Sequence, residues 1–220
     1  MISILIPIYN GIQFIEDSVS SVLNQTFDKW EIIIGVNGHP ENSQVYQIAK
    51  FFQREGKIKV LDLWKIKGKS NALNEMIKYC SFDYVAILDV DDIWNEEKLE
   101  IQSASLNKYD VIGSKCVYFG DLEGIIPDIP TGDISHFNFL SVNPIINSSS
   151  IIRKSLASWD PSLDVEDYDL WLKLWKEKRK FYNYKEVLVR HRIHKESAFN
   201  SKGNHDKVPE LLKKYSQFEK

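Results

Sequence analysis

Cysteine is scarce in this 220-residue chain. Cys80 and Cys116 are the only two, too few for a disulfide framework and without the spacing of a metal-binding thiol motif. Both read as buried thiols in a reducing compartment, so a cytoplasmic location is expected. Long apolar runs are missing as well. No stretch approaches the roughly 18 residues needed to span a bilayer, and the first apolar run starts at Ile2 with no basic segment ahead of it. Neither a spanning helix nor a signal peptide is expected, and any contact with the inner face of a membrane would be peripheral. Basic blocks are absent too: 28 Lys and Arg against 31 Asp and Glu give a formal net charge of −3. Nucleic acid is therefore not an expected partner, and a bound diphosphate would have to be held by a few local groups.

What is present supports one well-buried core. With 43% hydrophobic, 12% aromatic and 27% charged residues, a chain of this length is expected to form a single soluble domain over 1–220. Apolar runs at Ile2–Ile8, Trp30–Val36, Ile58–Leu63 and Val85–Leu88 alternate with helical periodicity at Phe14–Leu23, Val45–Phe52 and Ser70–Cys80. That alternation predicts right-handed βαβ units, a mainly parallel central sheet and helices on both faces. A nucleotide-binding half is expected over 1–106, with a helix near Glu96–Leu106. A second half over 107–206 has strands at Val111–Phe119, Ile145–Ile152 and Phe181–Val189, and a helix from Val165 to about Lys178. Between Gly120 and Asn143 there is little periodicity, and an unpatterned stretch that long in a compact domain is more often functional than idle. The last segment, 207–220, carries Val208, Leu211, Leu212, Tyr215 and Phe218 on one stripe. It reads as a core or homodimer contact rather than a membrane anchor, because its polar face mixes both signs.

Chemistry gathers where the fourth apolar run stops on Asp89-Val90-Asp91-Asp92. The open end of a parallel strand is where α/β sheets bind ligands. Carboxylates crowded there repel unless a cation or a shared proton relieves them. Oxygen ligands of this kind suit Mg²⁺ or Mn²⁺, the ions that accompany diphosphates. The plain alternative is an acidic turn capping the next helix.

The residues then assemble into a recognisable pattern. Ile6-Pro7-Ile8-Tyr9-Asn10 follows the first strand, Ser20, Val22 and Gln25 lie in the next helix, and Gly68–Asn74 opens another. Asp89-Val90-Asp91-Asp92, Glu166-Asp167 before Asp169-Leu170-Trp171, and Arg192-Ile193-His194 with Ser197 complete the series. In this order the chain resembles inverting nucleotide-sugar glycosyltransferases of family 2, with the GT-A, Rossmann-like fold. The resemblance implies a nucleobase against Pro7 and Tyr9, a ribose on Asp89, and a divalent cation on Asp91. His194 and Ser197 would approach the phosphates or the metal. Asn10, Asn37, Lys69, Asn74 and Arg192 complete the implied donor site. Asp167 would act as general base, taking the proton of an acceptor hydroxyl as it attacks the anomeric carbon.

One departure bears on the donor. Family members usually carry Asp-Asp-Gly-Ser after the second strand, whereas this chain has Asn37-Gly38-His39-Pro40. An amide can still donate to and accept from a base, so a UDP-sugar is favoured and a dTDP-sugar comes next. The acceptor, whether glycan, lipid-linked or protein, is unreadable from the Gly120–Asn143 stretch. Two other readings exist. A phosphohydrolase of the haloacid dehalogenase type also places Asp-x-Asp after a buried strand, usually the first rather than the fourth. A nucleotide-sugar-binding subunit without turnover would be compatible with Asn37.

Overall fold

The computed structural model describes residues 1–163, 165–195 and 204–217. Its first half runs β1 (Ile2–Ile8), α1 (Ile15–Leu23), β2 (Trp30–Asn37), α2 (Gln44–Lys50), β3 (Ile58–Leu63), α3 (Lys69–Met76) and β4 (Tyr84–Ile87). The second half runs β5 (Ile93–Trp94), α4 (Lys98–Ser103), β6 (Val111–Gly120), β7 (Gly132–Asp133), β8 (Ile151–Arg153), α5 (Glu166–Lys176), β9 (Phe181–Ile193) and α6 (Asn204–Ser216).

All strands share one sheet in the order β3-β2-β1-β4-β8-β6-β9-β5, with β7 alongside β9. The long ladders β1·β2, β2·β3, β1·β4 and β6·β9 are parallel, and only short antiparallel pairings join the halves. Every residue of β1 is buried, which is why its sequence is a continuous apolar run rather than an alternating one. The pleat divides that run. Ile2, Ile4, Ile6 and Ile8 face the cluster holding Ile15, Val19 and Val22 of α1, while Leu5 faces Leu73 and Met76 of α3. Gly35 of β2 lets α3 approach closely: a Cβ there would lie 2.5 Å from the Met76 sulfur.

The expected α/β architecture with helices on both faces is therefore present, with local differences. The expected strand over 145–152 contains a 3-10 turn at Asn147–Ser149, and only Ile151–Arg153 pairs as β8. Side chains compete for the backbone here. Ser149 Oγ donates to the Ile146 carbonyl at 2.8 Å and Ser150 Oγ to that of Asn147 at 2.7 Å, and such bonds favour turns over ladders. The helix expected near Glu96–Leu106 shortens to Lys98–Ser103. The last strand is longer than expected, because β6 supplies pairing out to Gly120 opposite Ile193. A two-residue strand, Gly132–Asp133, lies inside the unpatterned stretch.

In α6, which begins three residues before Lys207, Leu211 and Tyr215 are buried in the cluster that holds α5, and Tyr215 donates to Asp169 Oδ1 at 2.8 Å. These members of the stripe form a core contact within the chain; Phe218 lies outside the described residues. Trp171 is fully buried, and Trp175 stacks on Phe139 with the ring planes 3° apart. Among the described residues no helix is long and apolar enough to cross a membrane.

Candidate active site

The parallel strands β1, β2 and β4 end along one edge of the sheet, and their C-terminal continuations carry Tyr9, Asn37 and Asp89–Asp92. Asp89 receives the densest set of contacts. Lys69 Nζ stands 2.7 Å from Asp89 Oδ1 and 3.2 Å from Glu166 Oε1, so one ammonium joins the start of α3, the end of β4 and the start of α5. Gly68, with φ of 84°, provides the left-handed backbone that lets α3 begin with Lys69 at this point. Asn147 Nδ2 donates to Asp89 Oδ2 at 3.0 Å, and the Asp89 N–H donates to Ser148 Oγ at 3.1 Å. The 3-10 turn that interrupts the expected strand is thus what holds Asp89. Burial disfavours both charges, yet the pairing wins: the Asp89 carboxyl is held below the usual range by Lys69, and the Lys69 ammonium well above its own by Asp89 and Glu166.

This cluster opens into a cavity of about 450 Å³, lined by Lys69, Asp89, Glu166, Asp167, Asn143 and Asn147 among others. Asp167 lies in the first turn of α5. Its Oδ1 accepts the Tyr168 N–H at 2.7 Å and its Oδ2 accepts Asn143 Nδ2 at 3.4 Å. Burial and the adjacent Glu166 push its carboxyl up to about 6, against the pull of Lys69. A partly buried carboxyl with that pKa, at the wall of a cavity, suits proton transfer near neutrality.

A second group lies next along the chain. His194 Nε2 is 3.0 Å from Asp91 Oδ2. Burial, Asp92 and Asp89 raise the Asp91 carboxyl above the usual range, a negative field that a cation would relieve. Two ligands set at right angles about 2.1 Å from Mg²⁺ or Mn²⁺ lie roughly 3 Å apart, and such ions commonly take one or two protein ligands, with waters and substrate phosphates completing the shell. In this structure the two side chains meet each other directly in a hydrogen bond, and Asp91 with His194 is the pair that would hold such an ion. Among the described residues no group of three or more His, Cys, Asp or Glu side chains converges on one point.

Arg192, expected at the donor, is engaged elsewhere. Its Nε–H donates to the Asp91 carbonyl at 2.9 Å, its terminal nitrogen pairs with Asp17 at 2.7 Å, and its guanidinium lies over Phe14 and Phe119. It clamps α1 to the acidic turn. Asp92 is fully buried and anchors the same turn, accepting the Arg192 N–H at 2.8 Å on Oδ1 and facing His191 Nδ1 at 2.9 Å from Oδ2. Burial opposes the charge on His191, but Asp92, Asp89 and Asp91 outweigh it and raise the ring to about 9.

The remaining expected residues are dispersed. Tyr9 is 58% exposed, with its ring against that of His39, and Asn10 is exposed beside it. Pro7 is buried within β1 opposite Gly35, and Asn37 at the end of β2 is only 2% exposed. Asn74 is turned away from the cavity: its amide donates to the Trp159 carbonyl and accepts the Trp159 N–H, at 2.7 and 3.1 Å. Ser197 lies outside the described residues. Asn147, His191 and Asn143 line the cavity without having stood out in the sequence. The polar run Asn147–Ser150 inside an apolar segment was the available signal for the first.

Comparison with known proteins agrees with this fold. The family described as glycosyl transferase family 2 matches residues 3–158. The β-1,3-glucosyltransferase WfgD of Escherichia coli, which its name says uses UDP-Glc and an α-D-GlcNAc-diphosphoundecaprenol, is 30% identical over 80% of this chain and 70% of its own length. Among solved structures, Staphylococcus aureus TarS with UDP-GlcNAc superposes with a TM-score of 0.74 at 18% identity, over 96% of this chain and 65% of that one. A Pyrobaculum calidifontis mannosyltransferase with GDP-Man and Mn²⁺ gives a TM-score of 0.72 at 14% identity, over 100% of this chain and 65% of that one. The last two show the fold alone. The family match covers well over half of the sequence, its fold is the one found here, and the chain belongs to glycosyl transferase family 2.

Proposed function

We propose that the chain transfers a sugar from a nucleoside diphosphate sugar to an acceptor hydroxyl in a single inverting displacement. One observation carries the reading: the Asp167 carboxyl, raised to about 6, shares a cavity with the Asp89–Lys69 pair at the end of β4. A UDP-sugar is the favoured donor, supported by the donor named for WfgD and the ligand bound by TarS; a dTDP-sugar comes next. Tyr9, with Pro7 behind it, would lie against the base, and Asn37 and Asn10 would offer polar contacts nearby. Asp89 would accept from the ribose hydroxyls, the reason to keep it ionised with Lys69.

Asp167 would then take the acceptor proton as the hydroxyl oxygen forms its bond to the anomeric carbon and the bond to the diphosphate breaks. Lys69 stays charged through this step and limits the accumulation of negative charge among Asp89, Glu166 and Asp167. A Mg²⁺ or Mn²⁺ ion on Asp91 and His194 would supply Lewis-acid stabilisation of the departing diphosphate. The Arg192 clamp and the buried Asp92 orient Asp91 for that role.

Two measurements test this directly. Asp91→Asn should weaken Mn²⁺-dependent nucleotide diphosphate binding while leaving the thermal transition cooperative; equal affinity in both proteins, with and without chelator, overturns the assignment. Proton NMR of the first product, taken before any mutarotation, should show the opposite anomeric configuration to the donor. Retention would refute both the single displacement and the role of Asp167. A binding subunit without turnover would release no nucleoside diphosphate from any donor tested.

A further inference from the structure

We infer that the groove at the far end of α5 is a binding site for the anionic part of an acceptor glycan, one carrying carboxylate or phosphate groups along its chain. The groove encloses about 800 Å³ and is lined by Lys108, Lys178, Arg179, Lys180 and the half-buried Trp175, with Asp133 on its wall. These cations stand close together in a chain whose overall formal charge is −3.

Arg179 pairs with Glu177 at 3.4 Å, but the charge of the three lysines is available. Among the described residues no carboxylate lies within 4 Å of the ammonium of Lys108, Lys178 or Lys180. The acids nearby have other partners: Asp110 binds the Arg153 side chain and the Lys180 N–H, and Asp133 Oδ1 takes both the N–H and the hydroxyl of Ser135. Helix-terminal cations do explain part of such a cluster, since the C-terminus of α5 favours positive charge. Lys173 and Lys176 already occupy that last turn. Lys178, two residues past α5, holds φ at 59°, the left-handed position where glycine is strongly preferred and a side chain is strained.

The place of the groove favours a glycan. The eleven residues of α5, about 16 Å at the helical rise, connect Asp167 to the groove. The unpatterned stretch borders both sites, with Asp128, Ile129 and Asn143 on the cavity and Asp133 and Ser135 on the groove. An acceptor with its terminal hydroxyl at Asp167 and charged units further back would meet both. The concavity suits a chain that can lie along it, whereas a planar bilayer would meet only the rim. This inference rests on the cavity being the transfer site.

The test is binding of oligogalacturonate, a carboxylate-bearing glycan, against neutral dextran and against phosphatidylcholine vesicles containing phosphatidylglycerol. The proteins are the full chain and its Lys108→Ala/Lys178→Gly/Lys180→Ala variant. Lys178→Gly relieves the left-handed strain, so the variant should melt no lower than the parent, and its donor hydrolysis should be unchanged. Oligogalacturonate should bind in a salt-sensitive way and lose roughly tenfold or more in affinity in the variant, with dextran not binding. Equal affinity in both proteins, equal binding of dextran, or capture by anionic vesicles without oligogalacturonate binding would each overturn the inference. No donor is present in the binding assay, so its failure is separate from a failure of donor hydrolysis.

Discussion

Replacing Asp167 by Asn is expected to lower sugar transfer by roughly a hundredfold or more, since a general base is typically worth 10²–10⁴, with donor binding nearly unchanged. The amide keeps the contact to the Tyr168 N–H, whose acceptor is Oδ1 at 2.7 Å, so the start of α5 is preserved. The pH profile should change with it. A folded pKa of about 6 means that wild-type activity falls as pH drops through 6, and the residual activity of the variant should lack that limb.

Stability should move the other way. The folded pKa lies above the unfolded value of about 3.9, so the native state binds this proton more tightly and loses stability as pH rises from about 4 to 6. Above that window the ionised carboxyl costs up to about 3 kcal/mol, less whatever partial exposure screens. Asp167→Asn removes that cost, and at pH 7 its Tm should equal or exceed that of the parent. A variant that melts lower and loses the donor along with the activity would make Asp167 a structural residue of the helix start.

Asp92→Ala should have the largest effect on stability, a loss of about 3–5 kcal/mol, as for breaking one side of a buried ionic pair. Both carboxylate oxygens of Asp92 are in use, one by the Arg192 N–H and one by His191. Removing them strands a backbone donor and a charged ring inside the protein. The pair also sets a pH dependence. The folded His191 pKa of about 9 exceeds the unfolded value near 6.5, so its contribution is complete below about 6.5 and is lost as pH rises through 9. Urea denaturation at pH 6 and pH 9.5 should show parent stability falling by up to about 3 kcal/mol across that range, with partial solvent access of the ring reducing the figure. The Asp92→Ala difference should be nearly flat. A variant as stable as the parent at pH 6 would show that the pair contributes nothing.

The extent to which the site could be read differed from residue to residue. Asp89, Asp91 and Asp167 stood out because carboxylates at the end of a buried strand or the start of a helix interrupt an apolar pattern, and their places in the fold follow from that pattern. His194 and Asp91 are 103 residues apart, and only the family resemblance joined them in advance. Arg192 stood in the same motif, yet its guanidinium is held by Asp17 and two phenylalanines, a partnership no local spacing encodes. Asn74 looked like part of a loop facing the donor. The helix it sits on turns it toward Trp159 instead.

By itself the sequence determined the repeating strand–helix order, the burial of β1 on both faces, and the position of the acids at a strand end, because hydrophobic period and chain direction are local properties. Tertiary structure decided the rest. It placed β8 antiparallel between β4 and β6, and folded Asn147–Ser150 into the turn that grips Asp89. It drew Lys69 between Asp89 and Glu166, and gathered Lys108 with Lys178–Lys180 across some 70 residues of chain. These contacts depend on which buried faces meet and how desolvated charges find partners, and those energies exist only once distant segments are packed together.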